Sequence, residues 1–269
     1  MPELPDVELF KRHLDATCLG RTIRGVTVND ARILAGVSPA ELARRLGGAR
    51  LTESRRHGKH LLVGLHPSGC LVMHFGMNGG LQHFEEGESK PPYDRVQFDF
   101  ADGHHLAYVN PRLLGQVSLA TDAASFIAEQ GLGPDALDAG FDYAAFERAL
   151  SGRKRDVKSL LMDQAVIAGI GNIYSDEILF QARIHPRARS DRLGDDAKRQ
   201  LFSCMKEVLQ TAIEAGAAAE RLVERLPRSF LVPHRERGGQ CPRCGGEIAA
   251  DKFSGRTAYY CPRCQPAPA

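Results

Sequence analysis

The stretch CPRCGGEIAADKFSGRTAYYCPRC, residues 241–264, carries two C-x2-C pairs separated by sixteen residues. Each pair supplies two thiolates from one tight knuckle, and two knuckles complete the tetrahedron that zinc prefers. The glycines after the first knuckle let the chain reverse, and KFSGRTAYY (252–260) reads as a hairpin turning at Ser254–Gly255–Arg256. Two disulfides, the alternative, belong to an oxidising compartment. Four cysteines also leave no open position for chemistry at the metal. The pattern therefore predicts one structural zinc on Cys241, Cys244, Cys261 and Cys264. Cys18, Cys70 and Cys204 lie among apolar neighbours and read as small buried side chains.

Upstream of this ribbon, residues 227–240 read as an irregular connector. Leu, Ile, Phe and Ala recur at helical spacing in 143–151, 156–165, 172–182, 194–216 and 218–226, with the break GIGN at 169–172. Between about 21 and 120 the pattern is different. Short β-type runs (21–28, 60–65, 70–75, 96–100 and 105–109) alternate with Gly, Pro, Asn and Asp clusters, and ADG at 101–103 marks a hairpin. Such spacing predicts an antiparallel sandwich. Ahead of it, Val7, Phe10, Leu14 and Cys18 place an amphipathic helix over 5–19, with Pro5 in its first turn and Gly20 past its end. The reading is a multidomain α+β chain: a helix plus sandwich over 1–125, a helical domain over 126–235 and the zinc ribbon over 236–269.

Composition sets limits. Of 269 residues, 43% are hydrophobic and 25% charged, which is enough apolar material for globular cores. No run of 18 apolar residues argues for a membrane span. The opening MPELPDVE is acidic and proline-rich, unlike a signal peptide, so a cytoplasmic monomer is expected. The net charge of +2 is uninformative, but residues 220–269 hold nine Lys/Arg against five Asp/Glu. A basic tail suits a polyanion, and it suits an ordinary solvated surface equally well.

Pro2 after Met1 is the second feature. Removal of Met1 would expose a secondary amine able to attack an electrophilic sugar carbon and form an iminium. α-Amino groups titrate low, near ~8, and a helix N-terminus at Pro5 favours the neutral amine further. Glu3 stands beside it as an acid/base partner. Read alone, Met-Pro-Glu is also simply how a chain can begin.

The motifs PELPDVE (2–8), GKHLL (58–62), MHFGMNG (73–79), NPRLLG (110–115), GIGNIYSDEILF (169–180) and SGRTAYYCPRCQ (254–265) stand in one order. In that order they resemble the formamidopyrimidine-DNA glycosylase/endonuclease VIII family almost from end to end. The resemblance implies a β-sandwich led by a catalytic helix, then a helix–two-turn–helix domain with a zinc finger, acting on double-stranded DNA. It implies that Pro2 is the nucleophile, Glu3 the acid/base catalyst and Lys59 a lysine near the reacting sugar. Lys158, Asn172 and Arg256 would hold phosphates, the GIGN backbone adding N–H groups that welcome an anion. Met77, Arg112 and Leu114 would fill the gap left when a base is flipped out of the stack. The implied function is a base-excision glycosylase with abasic-site lyase activity, nicking by β,δ-elimination.

The sequence departs from the family pattern where the base is chosen. Asp6 stands for the usual Glu, Leu114 for an aromatic wedge and Leu113 for an arginine, and 219–240 lacks a threonine-rich capping loop. The lesion is therefore open among an oxidised purine, an oxidised pyrimidine, a bulkier adduct and an abasic site. Two other readings compete. A non-catalytic binder of damaged DNA would not need Pro2, Glu3 and Lys59 together, and a zinc-ribbon RNA-binding protein leaves the N-terminus unexplained.

Overall fold

A computed structural model describes residues 1–216, 223–253 and 255–267. The chain forms two compact units, one of residues 1–2 and 7–131, the other of 3–6 and 132–269.

The first unit contains most of α1 (Leu4–Thr17), then β1 (Ile23–Val28), α2 (Pro39–Leu46), β2 (Arg50–His57), β3 (His60–His66) and β4 (Cys70–His74). After these come β5 (Gly80–Glu85), β6 (Asp94–Phe100), β7 (His104–Val109), β8 (Gln116–Ala120) and α3 (Ala123–Glu129). Two four-stranded antiparallel sheets result, in the orders β1-β6-β7-β5 and β2-β3-β4-β8. Residues alternate between faces with period two, so one face of each sheet contributes to a shared core. Val7 and Leu14 of α1 join Leu61, Val63, Met73, Phe98, Leu106 and Tyr108 there. The expected sandwich is present, and ADG joins β6 to β7. The pattern missed β2, β5, β8, α2 and α3. β2 reads RLTESRRH, with one apolar residue to betray it, yet its backbone pairs with β3 from Arg50 to His57, broken only by an irregularity between Leu51 and Ser54. α2 is announced by its cap, since Ser38 Oγ accepts the Glu41 N–H and Pro39 takes the first turn.

The second unit contains α4 (Tyr143–Leu150), α5 (Val157–Leu161), α6 (Asn172–Gln181), α7 (Asp195–Glu214), β9 (Ala249–Phe253) and β10 (Arg256–Tyr260). α5 is half the expected length. Asp163 accepts the Ala165 N–H, and Gln164 donates to the Met162 and Ile170 carbonyls and accepts from Gly169 N–H, which turns the chain out of the helix. Of the helix expected over 218–226, residues 218–222 lie outside the described residues, and Val223–Arg225 is a 3-10 turn. Ser254 in the expected ribbon turn and the last two residues of the chain also lie outside them. β9 and β10 pair antiparallel from Phe253–Arg256 outward. No helix among the described residues is long and apolar enough to cross a membrane.

α6 positions much of the second unit's polar chemistry. Residues Ile173 to Phe180 are all buried, so this helix has no solvent face. Burying Ile173, Ile178, Leu179 and Phe180 contributes about 1.5–3 kcal/mol each, and its buried acids must find partners inside. Glu177 does so by accepting the Val232 N–H at 2.8 Å and Gln181 Nε2 at 2.7 Å. Burial pushes its carboxyl up to about 7, from an ordinary 4.5. The folded chain then holds this proton more tightly than the unfolded one, so stability declines as pH rises from about 4.5 to about 7. Glu177→Gln, neutral throughout, is expected to flatten the fall in melting temperature between about pH 5 and 8. A melting profile as steep as that of the wild type would refute this assignment.

Candidate functional site

In the second unit, the Glu3 carboxylate sits on the N-terminus of α6. Its oxygens accept the N–H groups of Gly171 at 2.7 Å, Ile173 at 2.8 Å and Tyr174 at 3.2 Å. The anion these groups hold is thus the chain's own side chain, where the sequence suggested a phosphate. Only glycine fits at 171, because a Cβ there would lie 2.3 Å from Glu3 Cδ. Glu3 is 1% exposed. Its own N–H is taken at 2.7 Å by Asp6, the acid three residues on, which makes one half of a capping box while the Glu3 side chain serves α6. Leu4 N–H bonds the Gly169 carbonyl at 3.0 Å and its side chain packs on that glycine, which has φ of 115°. GIGN is therefore a seat for residues 3 and 4.

Three residues beyond Ile173 in the same helix, buried Asp176 accepts from Lys158 Nζ, from Arg235 at 2.9 and 2.8 Å and from the Tyr259 N–H at 3.1 Å. Lys158 Nζ also donates to the Asn172 carbonyl at 3.2 Å and Ser175 Oγ at 3.0 Å. Those three acceptors use the three protons of the ammonium, and the side chain is 1% exposed. Lys158 stands behind the surface, with burial lowering its pKa against the raising effect of Asp176. Asn172 Nδ2 donates to the Thr257 carbonyl at 3.0 Å, beside exposed Arg256 on β10. Arg235 stacks 4.6 Å from the Tyr259 ring centre. Lys158, Asn172 and the strand bearing Arg256 are thereby one connected piece. Arg155, Lys158, Ser159, Met162, Phe253 and Arg256 line a cavity of about 260 Å³.

In the ribbon, Cys241 Sγ lies 3.8 Å from Cys264 Sγ and Cys244 Sγ lies 3.6 Å from Cys261 Sγ. All four sulfurs fall within 4.8 Å of one another. A tetrahedron with Zn–S bonds of about 2.3 Å has edges of about 3.8 Å, so this set fits one structural zinc. Gln265 clamps the second knuckle, bonding Cys261 N–H at 3.0 Å and the Ile184 carbonyl at 2.8 Å.

In the first unit, Gly58 and Lys59 form the two-residue turn between β2 and β3, with Gly58 at φ of 57°. Lys59 is 7% exposed. Its charge helps to hold the His74 imidazole down to about 4, though burial is the larger cause. Burial likewise lowers His60 to about 3, so both rings are neutral near pH 7. Pro2 is half-buried. Met77 and Leu114 are exposed by 38% and 50%, and Arg112 is exposed as well. The loops carrying these three side chains touch: a Cβ on Gly76 would lie 2.3 Å from the Leu114 carbonyl carbon, and one on Gly115 would lie 2.7 Å from the His74 carbonyl oxygen. The sequence pattern assigns nothing to Asn110, Asp176 or Arg235. Asp176 has a signal, since Ser-Asp-Glu inside an otherwise apolar helix demands buried partners.

Similarity to known proteins runs along the whole chain. Residues 1–117 match the formamidopyrimidine-DNA glycosylase N-terminal domain, 132–223 its H2TH domain, and 238–267 the zinc finger found in FPG and IleRS. A formamidopyrimidine-DNA glycosylase of Heliobacterium modesticaldum is 37% identical, covering 98% of this chain and 100% of its own. That of Methylococcus capsulatus is 38% identical with the same coverage. The Lactococcus lactis enzyme, solved non-covalently bound to DNA containing an AP site, superimposes with a TM-score of 0.88. It is 28% identical and covers 98% of this chain and 100% of its own. With six motifs, a zinc-fitting cysteine set and similarity over nearly every residue, the chain belongs to the formamidopyrimidine-DNA glycosylase/endonuclease VIII family.

Proposed function

We propose that the protein is a base-excision DNA glycosylase with abasic-site lyase activity on double-stranded DNA. The observation that carries this reading is Glu3, a carboxylate fixed by three backbone N–H groups and covalently next to Pro2. Once Met1 is removed, the Pro2 amine attacks C1′ of the damaged nucleotide and the glycosidic bond breaks, the base leaving with a proton. The sugar ring opens to an iminium on Pro2. β-Elimination then breaks the C3′–O bond and δ-elimination the C5′–O bond, leaving a one-nucleotide gap. Glu3 supplies a fixed group for proton transfer at the opening sugar, and Lys59 a cation near it. Zinc shapes the ribbon and takes no part in bond breaking.

Asn172 and Arg256 hold phosphates of the damaged strand, contacts that position DNA without reading sequence. Lys158 supports them from behind, through Asp176 and the Asn172 carbonyl. Met77, Arg112 and Leu114 enter the duplex where the base leaves it. The test is sodium borohydride trapping on DNA bearing one abasic site. A covalent protein–DNA adduct at the N-terminus is expected, and its absence in the wild type would favour a non-catalytic binder instead.

A further inference from the structure

Beyond Met77 and Leu114, one more large apolar side chain is well exposed among the described residues: Tyr93, at 57%. Single exposed aromatics are common and ordinarily mean nothing. This one is tied to both wedge loops through Asn110, which is fully buried. Asn110 Nδ2 donates to the Phe75 carbonyl at 3.1 Å, in the loop of Met77, and its Oδ1 accepts the Leu114 N–H at 3.2 Å. Its backbone N–H donates to the Tyr93 carbonyl at 3.0 Å. Arg95 reinforces the joint: it donates to the Asn110 carbonyl at 2.9 Å while its guanidinium lies 5.7 Å from the Tyr93 ring centre. Tyr93 also has φ of 61°, a left-handed conformation that is an outlier for a bulky residue and persists only where the surroundings fix it. A strained backbone that holds an aromatic ring out in water suits a ring that has a partner.

We infer that Tyr93 is a DNA-contacting residue, its ring stacking on the base opposite the lesion. The inference rests on the reading that the chain acts on damaged duplex DNA. Leu114 fills space but has no π face, and an aromatic ring accepts any base by stacking. Met77 and Leu114 then fill the gap while Tyr93 covers the base left without its partner.

The probe is a duplex with a tetrahydrofuran abasic analogue, titrated by fluorescence anisotropy with a normal nucleotide or a second abasic analogue opposite. Tyr93→Gly, which suits the positive φ, is expected to bind about tenfold more weakly to the first duplex. On the second it should bind like wild type, there being no base to stack on. Tyr93→Phe should match wild type on both, and the salt dependence should be unchanged, since no phosphate contact is lost. Wild-type affinity in Tyr93→Gly would overturn the inference, as would a defect that persists with no base opposite. A defect in Tyr93→Phe equal to that of Tyr93→Gly would point to the hydroxyl and overturn it too. Borohydride trapping of the wild type, run alongside, separates the two readings. Lack of an adduct removes the enzymatic function, whereas an adduct with Tyr93→Gly binding normally removes only the role of Tyr93.

Discussion

Protein that retains Met1, or carries a tag ahead of Pro2, is expected to give no borohydride adduct and to cleave abasic DNA only at background rate. While Met1 is attached, the Pro2 nitrogen belongs to a peptide bond, and its lone pair is delocalised into the carbonyl. Such a nitrogen is no nucleophile at any pH. Duplex affinity should stay within a few-fold of normal, because Asn172 and Arg256 belong to other segments. A blocked protein that still formed the adduct would show that another amine does the chemistry, and mapping the adduct would tell Lys59 from the α-amine of the residue now in first place. Glu3→Gln gives the companion result. Proton transfer by a positioned group contributes about 10²–10⁴-fold, and a carboxamide would also turn an N–H toward one of the three N–H donors of α6.

Asp176→Ala should have the largest effect on stability. It would leave Lys158, at 1% exposure, and Arg235 without their shared anion. Breaking a buried pair by removing one partner costs about 3–5 kcal/mol. Against a total stability of about 5–15 kcal/mol, the melting temperature should fall by roughly 10 °C. The larger cost comes from Lys158, the more deeply buried of the two stranded cations, so the double variant Asp176→Leu with Lys158→Met should recover that share while Arg235 stays unpaired. If the single and double variants melt alike, the ion pair is not what holds α6 to β10. DNA binding should weaken in both, because Asn172 and Arg256 lose their common support.

The helix at the N-terminus, the sandwich and the ribbon were legible because each rests on local chemistry: a period of 3.6, a period of two, or paired cysteines. β2 was hidden because its order comes from pairing with β3 while its side chains are polar. The shortness of α5 was hidden because Gln164 ends it through bonds to residues five and six positions on. The four cysteines could be named from their type and spacing, whereas Pro2 and Glu3 drew their proposed roles from the order of the motifs around them. The depth of Lys158 could not be read in either way, since it comes from Asp176, Ser175 and Asn172 converging across a turn that sequence spacing does not reveal. Asn110 belongs to a recognisable motif, but its importance lies in two bonds to distant segments, at Phe75 and Tyr93, and a third that fixes Leu114 in its own loop.

That joint at Asn110 bears on how such a protein changes its preferences. Glycines at 76 and 115 forbid any side chain where the loops touch, and the buried amide fixes their backbones. Met77, Tyr93 and Leu114 are solvent-facing and constrained little by the core. Selection can therefore exchange the tips one at a time, at little cost in folding, while their spacing stays constant. An aromatic ring given up at one tip can be regained at another, and new lesion specificities can arise by trial without the frame being rebuilt.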